Sequence, residues 1–196
     1  MATKTTGQRS RLTPEREAEL YEAVLDLLRE VGYDALTMDA ISARTRCSKA
    51  TLYRQWGGKP ELVVTALRNC KPHSLGTADT GSLRGDLHAT LHREDDDEMR
   101  QGADLMRGLA QAIHTNPDLR RALRELLLEP ETAGLRELLQ RAVDRGEIRA
   151  DNPALDYVMH MLAGAHIVRQ ILEDRTVDRD FMIAYIDAVV LPALGA

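Results

Sequence analysis

The chain of 196 residues has no run of about 18 consecutive apolar residues, so no membrane-spanning helix can be read from it. Aromatic residues are scarce, at 4%, and runs of β-branched residues are few. Leu, Ala and Arg are abundant instead, which disfavours a sandwich or barrel and favours helices. The two cysteines, Cys47 and Cys70, are too few for a disulfide framework and suit a reducing, cytoplasmic setting. The opening segment MATKTTGQRSRL is basic but has no apolar core, so it does not read as a secretory signal. Dinucleotide-binding GxGxxG, a phosphate-binding loop, HExxH and GxSxG are all missing, so no enzyme activity, cofactor or metal is expected. At 43% hydrophobic and 29% charged residues, the composition is that of one or two ordinary folded domains.

The net charge of −5 hides an asymmetry. Residues 1–60 carry 10 Lys/Arg against 8 Asp/Glu, whereas residues 61–196 carry 16 against 23. The basic residues of the first part fall in two places: Lys4, Arg9 and Arg11 near the start, and Arg44, Arg46, Lys49, Arg54 and Lys59 within 37–59, where Asp39 is the lone acid. A local basic patch on an acidic chain lets one face meet a polyanion.

Thr13-Pro14-Glu15 is a helix start, with a hydroxyl cap, a proline at the first position and an acid in the first turn. Tyr21, Val24, Leu25, Leu28 and Val31 recur at helical spacing and Gly32 closes the run, which predicts a first helix over 14–31. Thr37 opens a short second helix to about residue 45. Ser48 caps a third, which carries Leu52, Tyr53 and Trp56 and stops at Gly57-Gly58. Two such short helices bury too little alone and need neighbours as a platform, the arrangement of a helix-turn-helix. A fourth helix is expected over 59–69, then a boundary in the Pro-, Gly-, Ser- and Thr-rich stretch 71–81. Further helices are expected over 82–93, 98–115, 117–145 (interrupted or kinked at Pro130), 153–174 and 179–193. The expected architecture is all-α: a flexible basic arm (1–12), a helix-turn-helix head (13–70) and a larger helical domain (71–196).

The segment VLDLLREVGYDALTMDAISARTRCSKATLYRQWGGKPELVVTAL, residues 24–67, resembles the DNA-binding domain of the TetR family of bacterial transcriptional regulators. Gly32-Tyr33, Leu36-Thr37-Met38, the run Ser48 to Tyr53, and Trp56, Lys59 and Leu62 carry the resemblance. Residues 81–193 are similar, more loosely, to the family's helical regulatory domain, notably in GSLRGDL and AVDRGEIRAD. Gly58, Cys47 and the acidic HREDDDE stretch at 92–98 depart from the family pattern. The resemblance implies a homodimeric repressor that binds a near-palindromic double-stranded operator and is released by a small molecule.

In the third helix, Ser48 places backbone N–H groups toward a phosphate, and Lys49, Ala50 and Thr51 form a first turn suited to the major groove. Lys49 can reach a guanine edge or a phosphate, Thr51 a phosphate or a thymine methyl, Tyr53 a phosphate, and Arg54 a base edge or backbone. Thr37 caps the second helix beside the other strand, Arg44 and Arg46 flank the turn, and Lys59 opens the fourth helix near the same backbone. Leu52 and Trp56 read as core. Cys47, between cations and before a helix, is a candidate low-pKa thiol against the plainer reading of a packed small residue. His88 and His92, one turn apart, have metal-ligand spacing but no fixed third ligand.

In the larger domain, Met106, Leu109, Ile113, Leu127, Leu139, Tyr157 and Met161 are candidates to line an effector site for an apolar or cationic molecule, although most such positions are simply core. The segments 153–174 and 179–193 are apolar on more than one face and carry Ala163, Gly164 and Ala165, which permit close approach. They predict an intersubunit four-helix bundle. A helical enzyme or small-molecule carrier and a protein–protein adaptor are the competing readings, and salt-dependent DNA binding separates them from a regulator.

Overall fold

The computed structural model describes residues 12–69, 75–91, 96–175 and 177–196. Among them there is no strand. The helices are α1 (Pro14–Ala35), α2 (Met38–Thr45), α3 (Lys49–Trp56), α4 (Lys59–Asn69), α5 (Leu83–Leu91), α6 (Asp96–Thr115), α7 (Pro117–Leu123), α8 (Glu129–Asp144), α9 (Val158–Glu173), α10 (Arg179–Tyr185) and α11 (Leu191–Leu194). Short 3-10 turns lie at Leu75–Thr77 and Pro153–Tyr157. The expected starts at Thr13, Thr37 and Ser48 are capped, and Asn116 and Asn152 cap two later helical segments; each of the five accepts a backbone N–H with the side-chain oxygen. Gly32 has φ +73 and ψ 169, a break in helical geometry, and one further turn then carries the chain to Ala35.

An interruption falls beside Pro130 as expected, but the proline is not itself a kink. It sits in the first turn of α8, and the irregularity lies just before it, a π turn at Arg124–Leu128 in which Glu129 N–H donates to Arg124 O five residues back. The second π turn, Ile186–Val190, precedes Pro192 in the same way, and Leu191 N–H donates to Ile186 O. A proline ring has no N–H to donate and crowds the carbonyl four residues earlier, so widening the turn ahead of it relieves both problems without ending the helix.

Two main cores result. The first joins α1–α4 to Leu105, Leu109 and Ala112 of α6, Leu119, Ala122 and Leu123 of α7, and Leu127. Leu62, Val63, Val64, Ala66 and Leu67 of α4 are all buried, on more than one side of the helix, so α4 packs against α1 and α7 together. The second core gathers Leu83 and Leu87 of α5, Leu135, Leu138, Leu139 and Ala142 of α8, Val158 of α9, and Ile186, Val190, Leu191 and Leu194.

The segment after the head is strapped along α8. Leu75 N–H donates to Glu131, the Ala78 carbonyl accepts from Arg141, and Gly76 lies so close to Gly134 that a Cβ there would sit 2.8 Å from its backbone. Asp86, fully buried, accepts from Thr80 N–H at 2.5 Å, the Thr80 hydroxyl at 2.8 Å and Arg145 at 3.1 Å, which ties the start of α5 to the end of α8.

Candidate nucleic-acid interface

The turn between α2 and α3 is built by local chemistry. Arg46 takes the left-handed conformation (φ 52) that ends α2, and the Ser42 hydroxyl donates to Cys47 O at 2.7 Å. Arg16 of α1 donates to Thr45 O, closing the exposed end of α2 from 29 residues away in sequence. Ser48 then starts α3, its Oγ accepting Thr51 N–H at 3.2 Å and lying 3.0 Å from Thr51 Oγ1. Leu52 is fully buried beneath α3. Trp56 packs edge-on against Tyr21 with ring centroids 6.0 Å apart, and its indole N–H donates to the Tyr21 hydroxyl at 3.3 Å. With Leu52 and Trp56 turned inward, Lys49, Ala50, Tyr53 and Arg54 are left exposed and Thr51 half-buried.

Thr37, Arg44, Arg46 and Ser48 are also exposed, so the structure brings nine of the ten candidate DNA-contacting residues to the outside of α2, α3 and their turn. Lys59 is the exception. Its ammonium donates to Tyr33 O and Leu36 O, both at 2.9 Å, and lies 4.2 Å from the centre of the Tyr33 ring. Burial draws the Lys59 pKa below its usual value, against the opposing pull of Asp34. Burial likewise pushes the Tyr33 phenol up to about 12. Lys59 therefore locks the chain between α1 and α2, a role that residue type and spacing do not reveal.

The remaining cations divide into two sets. Arg44 makes a fork with Glu30 at 3.1 and 2.7 Å, and Lys49 Nζ lies 2.6 Å from Asp39 Oδ1. The hydrogen bond from Lys49 to Asp39, and the attraction between them, hold the Lys49 pKa above its ordinary value. Arg46 and Arg54 have no acidic partner among the described residues, and they share an open cleft with Arg16, Leu12, Leu20, Cys47, Ser48 and Thr51. Arg16 and the acidic partners Glu30 and Asp39 are the functional neighbours that sequence reasoning missed; Arg16 and Glu30 act across sequence separations that no local pattern records.

Cys47 is buried, and desolvation raises its thiol pKa despite the nearby Arg16 and Arg54. Of the two readings of Cys47, the plainer one, a packed small residue, is the one the structure supports. His88 Nε2 lies 2.9 Å from Asp187, which also accepts from Arg84 at 2.6 Å, so His88 joins α5 to the second π turn. His92, Cys70 and the basic arm with Lys4, Arg9 and Arg11 lie outside the described residues. No cluster of metal-ligating side chains occurs among the described residues. The candidate effector residues divide: Met106, Leu109, Ile113 and Leu127 belong to the first core, Leu139 and Met161 to the second, and Tyr157 is 60% exposed.

An all-α chain with a capped two-helix reading unit on one end and a larger helical body behind it defines a helix-turn-helix DNA-binding regulator. Residues 20–66 match the family described as bacterial regulatory proteins, tetR family, and residues 77–189 match the tetracyclin repressor-like C-terminal domain. The chain belongs to the TetR family, whose members regulate transcription by binding DNA and are not enzymes. It is 38% identical over 179 residues to an HTH-type transcriptional regulator of Mycobacterium tuberculosis, covering 91% of this chain and 88% of that one. It is 31% identical over 177 residues to a DNA-binding transcriptional repressor TetR of Mycobacteroides abscessus, covering 90% and 92%. Its fold is similar to the crystal structure of a TetR family transcription regulator, with a TM-score of 0.67 and 30% identity over 91% of this chain and 98% of that one.

Proposed function

We propose that this protein is a cytoplasmic repressor that binds a near-palindromic operator as a homodimer and releases it when a small molecule enters the larger domain. The observation that carries the DNA reading is the outward face of α3, where Lys49, Ala50, Tyr53 and Arg54 stand clear while Leu52 anchors the helix from below. Thr37, Arg44, Arg46, Ser48 and Thr51 flank that face as further contacts to DNA. Small and polar residues at the start of a short helix suit base edges in the major groove, and the flanking arginines suit phosphates.

A second copy of the chain is supported by α9. Ile167, Val168, Ile171 and Leu172 are 62%, 47%, 76% and 76% exposed and follow helical spacing, so they form one apolar stripe. Gly164 lies on the same side with open space in front of it. A stripe of this kind is a liability in a monomer and an interface in a dimer. The family relationship supports ligand release, and α4 is the part that such a ligand would move, since it packs on both the head and α7. A change of about 1–3 kcal/mol in the balance between two dimer arrangements alters operator affinity roughly 5- to 150-fold.

The test is selection of bound sequences from random duplex DNA with the purified protein. Recovery of an inverted repeat whose affinity falls steeply with salt is expected. Failure to enrich any sequence, with binding that does not respond to salt, overturns the reading.

A further inference from the structure

The basic face identified by sequence is far less basic once folded. Of the five cations in residues 37–59, Lys59 is turned onto backbone carbonyls, Arg44 is held by Glu30 and Lys49 is held by Asp39. Among these five, Arg46 and Arg54 alone are held by neither an acid nor a backbone carbonyl among the described residues. The pairing is selective: the cation in the first turn of α3, the position suited to base edges, is neutralised, while those at the rim of the cleft are not.

Asp39 stands in the first turn of α2, with its side chain 76% exposed, and Lys49 in the first turn of α3, 53% exposed. The contact is therefore made on the surface that the recognition helix presents, where a carboxylate repels every phosphate that approaches. An ammonium has three donors and no fixed plane, and with one donor held by Asp39 two remain for the O6 and N7 acceptors of a guanine. A phosphate approaching the same ammonium meets the Asp39 charge as well. The neutral edge of a base does not.

We propose that Asp39 is a specificity-determining positioning residue: its contact with Lys49 turns that lysine from a general phosphate ligand into a reader of a guanine edge. The division of labour follows directly. Arg46 and Arg54 supply sequence-independent attraction, and the Asp39–Lys49 pair supplies discrimination. This inference rests on the DNA-binding reading above and deepens it.

The experiment uses the full chain, a duplex selected from random DNA by the wild-type protein, and a scrambled duplex of the same composition. Affinities for both are measured across a salt series for wild type, Asp39→Asn, Asp39→Glu, Lys49→Ala and the double variant Asp39→Asn/Lys49→Ala. Asp39→Asn is expected to bind the scrambled duplex about two- to fivefold more tightly, the gain set by breaking an exposed ion pair. Its salt slope on that duplex should steepen by about 0.9 as Lys49 takes a phosphate. The ratio of selected to scrambled affinity should fall, Asp39→Glu should keep it near wild type, and adding Asp39→Asn to Lys49→Ala should leave it unchanged.

An Asp39→Asn variant that tightens both duplexes equally overturns the inference. So does a ratio that falls as far in the Lys49→Ala background, because Asp39 would then act only as a repelling charge. Circular dichroism melting checks folding, and Asp39→Ser, which also suits a helix start, takes the place of the amide if that variant unfolds. A wild type that selects no sequence defeats the DNA-binding reading itself. A wild type that selects one, with the ratio unchanged in Asp39→Asn, defeats this inference alone.

Discussion

Lys59 and Tyr53 were both expected at the DNA backbone, and their surroundings now separate them. Tyr53 is 50% exposed on α3, while the Lys59 ammonium satisfies two carbonyls between α1 and α2. Lys59→Ala leaves those carbonyls without their charged donor and should cost about 2 kcal/mol of stability in urea unfolding. Tyr53→Ala should leave the unfolding midpoint within experimental scatter and weaken operator binding. Equal stability for the two variants would remove the structural role given to Lys59. Asp86 makes a second residue-level case. Burial works to raise its pKa, but the Thr80 N–H, the Thr80 hydroxyl and Arg145 together hold it below the usual carboxylate value. A carboxyl whose folded pKa is lowered adds stability that is full above its unfolded value, about 3.9, and is lost as pH falls through the folded value. Asp86→Asn should therefore cost on the order of 3 kcal/mol near pH 7, and the gap to wild type should close on acidification below about pH 4. A gap that stays constant from pH 7 to pH 3 would show that the charge is not what matters.

Elements meet where side chains are smallest. The Leu75–Thr77 turn lies on α8 because neither Gly76 nor Gly134 carries a Cβ, and Glu131 and Arg141 hold the strap above and below that contact. A methyl group at Gly76 would meet backbone atoms, which cannot swing aside as a side chain can. Gly76→Ala should then destabilise the protein by about 1–3 kcal/mol, read as a lower denaturation midpoint with an unchanged m-value. A neutral result would mean that the strap lifts freely. The two π turns, each ahead of a proline, show the same economy: α7 and α8 continue as one rod with a widened turn at Arg124–Leu128, and that turn buries Leu127 in the core that also holds α4.

At the scale of the molecule, that shared core makes the DNA-binding head continuous with α6 and α7. A displacement of α7 thus reaches α4 through packed side chains, with no need of the linker. In the proposed dimer, the α9 stripe is the surface that pairs the two chains. Ile171, 76% exposed, has room for a charge in an isolated chain and none in a bundle of two chains. Ile171→Asp should leave helix content unchanged and shift the sedimenting species from dimer to monomer, since an unpaired charge at a buried interface costs on the order of 3 kcal/mol or more. A dimer of undiminished strength would move the interface elsewhere. Loss of the dimer should also weaken binding to a two-half-site operator, whose halves lie roughly 34 Å apart.

Local chemistry was legible in the sequence wherever neighbours along the chain do the work. Thr13, Thr37, Ser48, Asn116 and Asn152 cap their own helices within three residues, and Gly57 leaves α3 through a positive φ, so element starts and the helix-turn-helix could be read directly. The exposed face of α3 was legible for the same reason, because Leu52 and Trp56 mark its inner side. Tertiary structure decided the charges. A count of basic residues cannot say that Glu30 reaches Arg44 from 14 positions away, that Lys59 turns to carbonyls of Tyr33 and Leu36, or that Asp39 meets Lys49 across a turn. Hydrogen bonds reach only about 3 Å through space, and Coulomb attraction weakens with distance and screening, so pairing depends on where the fold places each group. Apolar periodicity likewise identified Leu109, Leu127, Leu139 and Met161 as inward-facing, and only packing assigned them to two different cores.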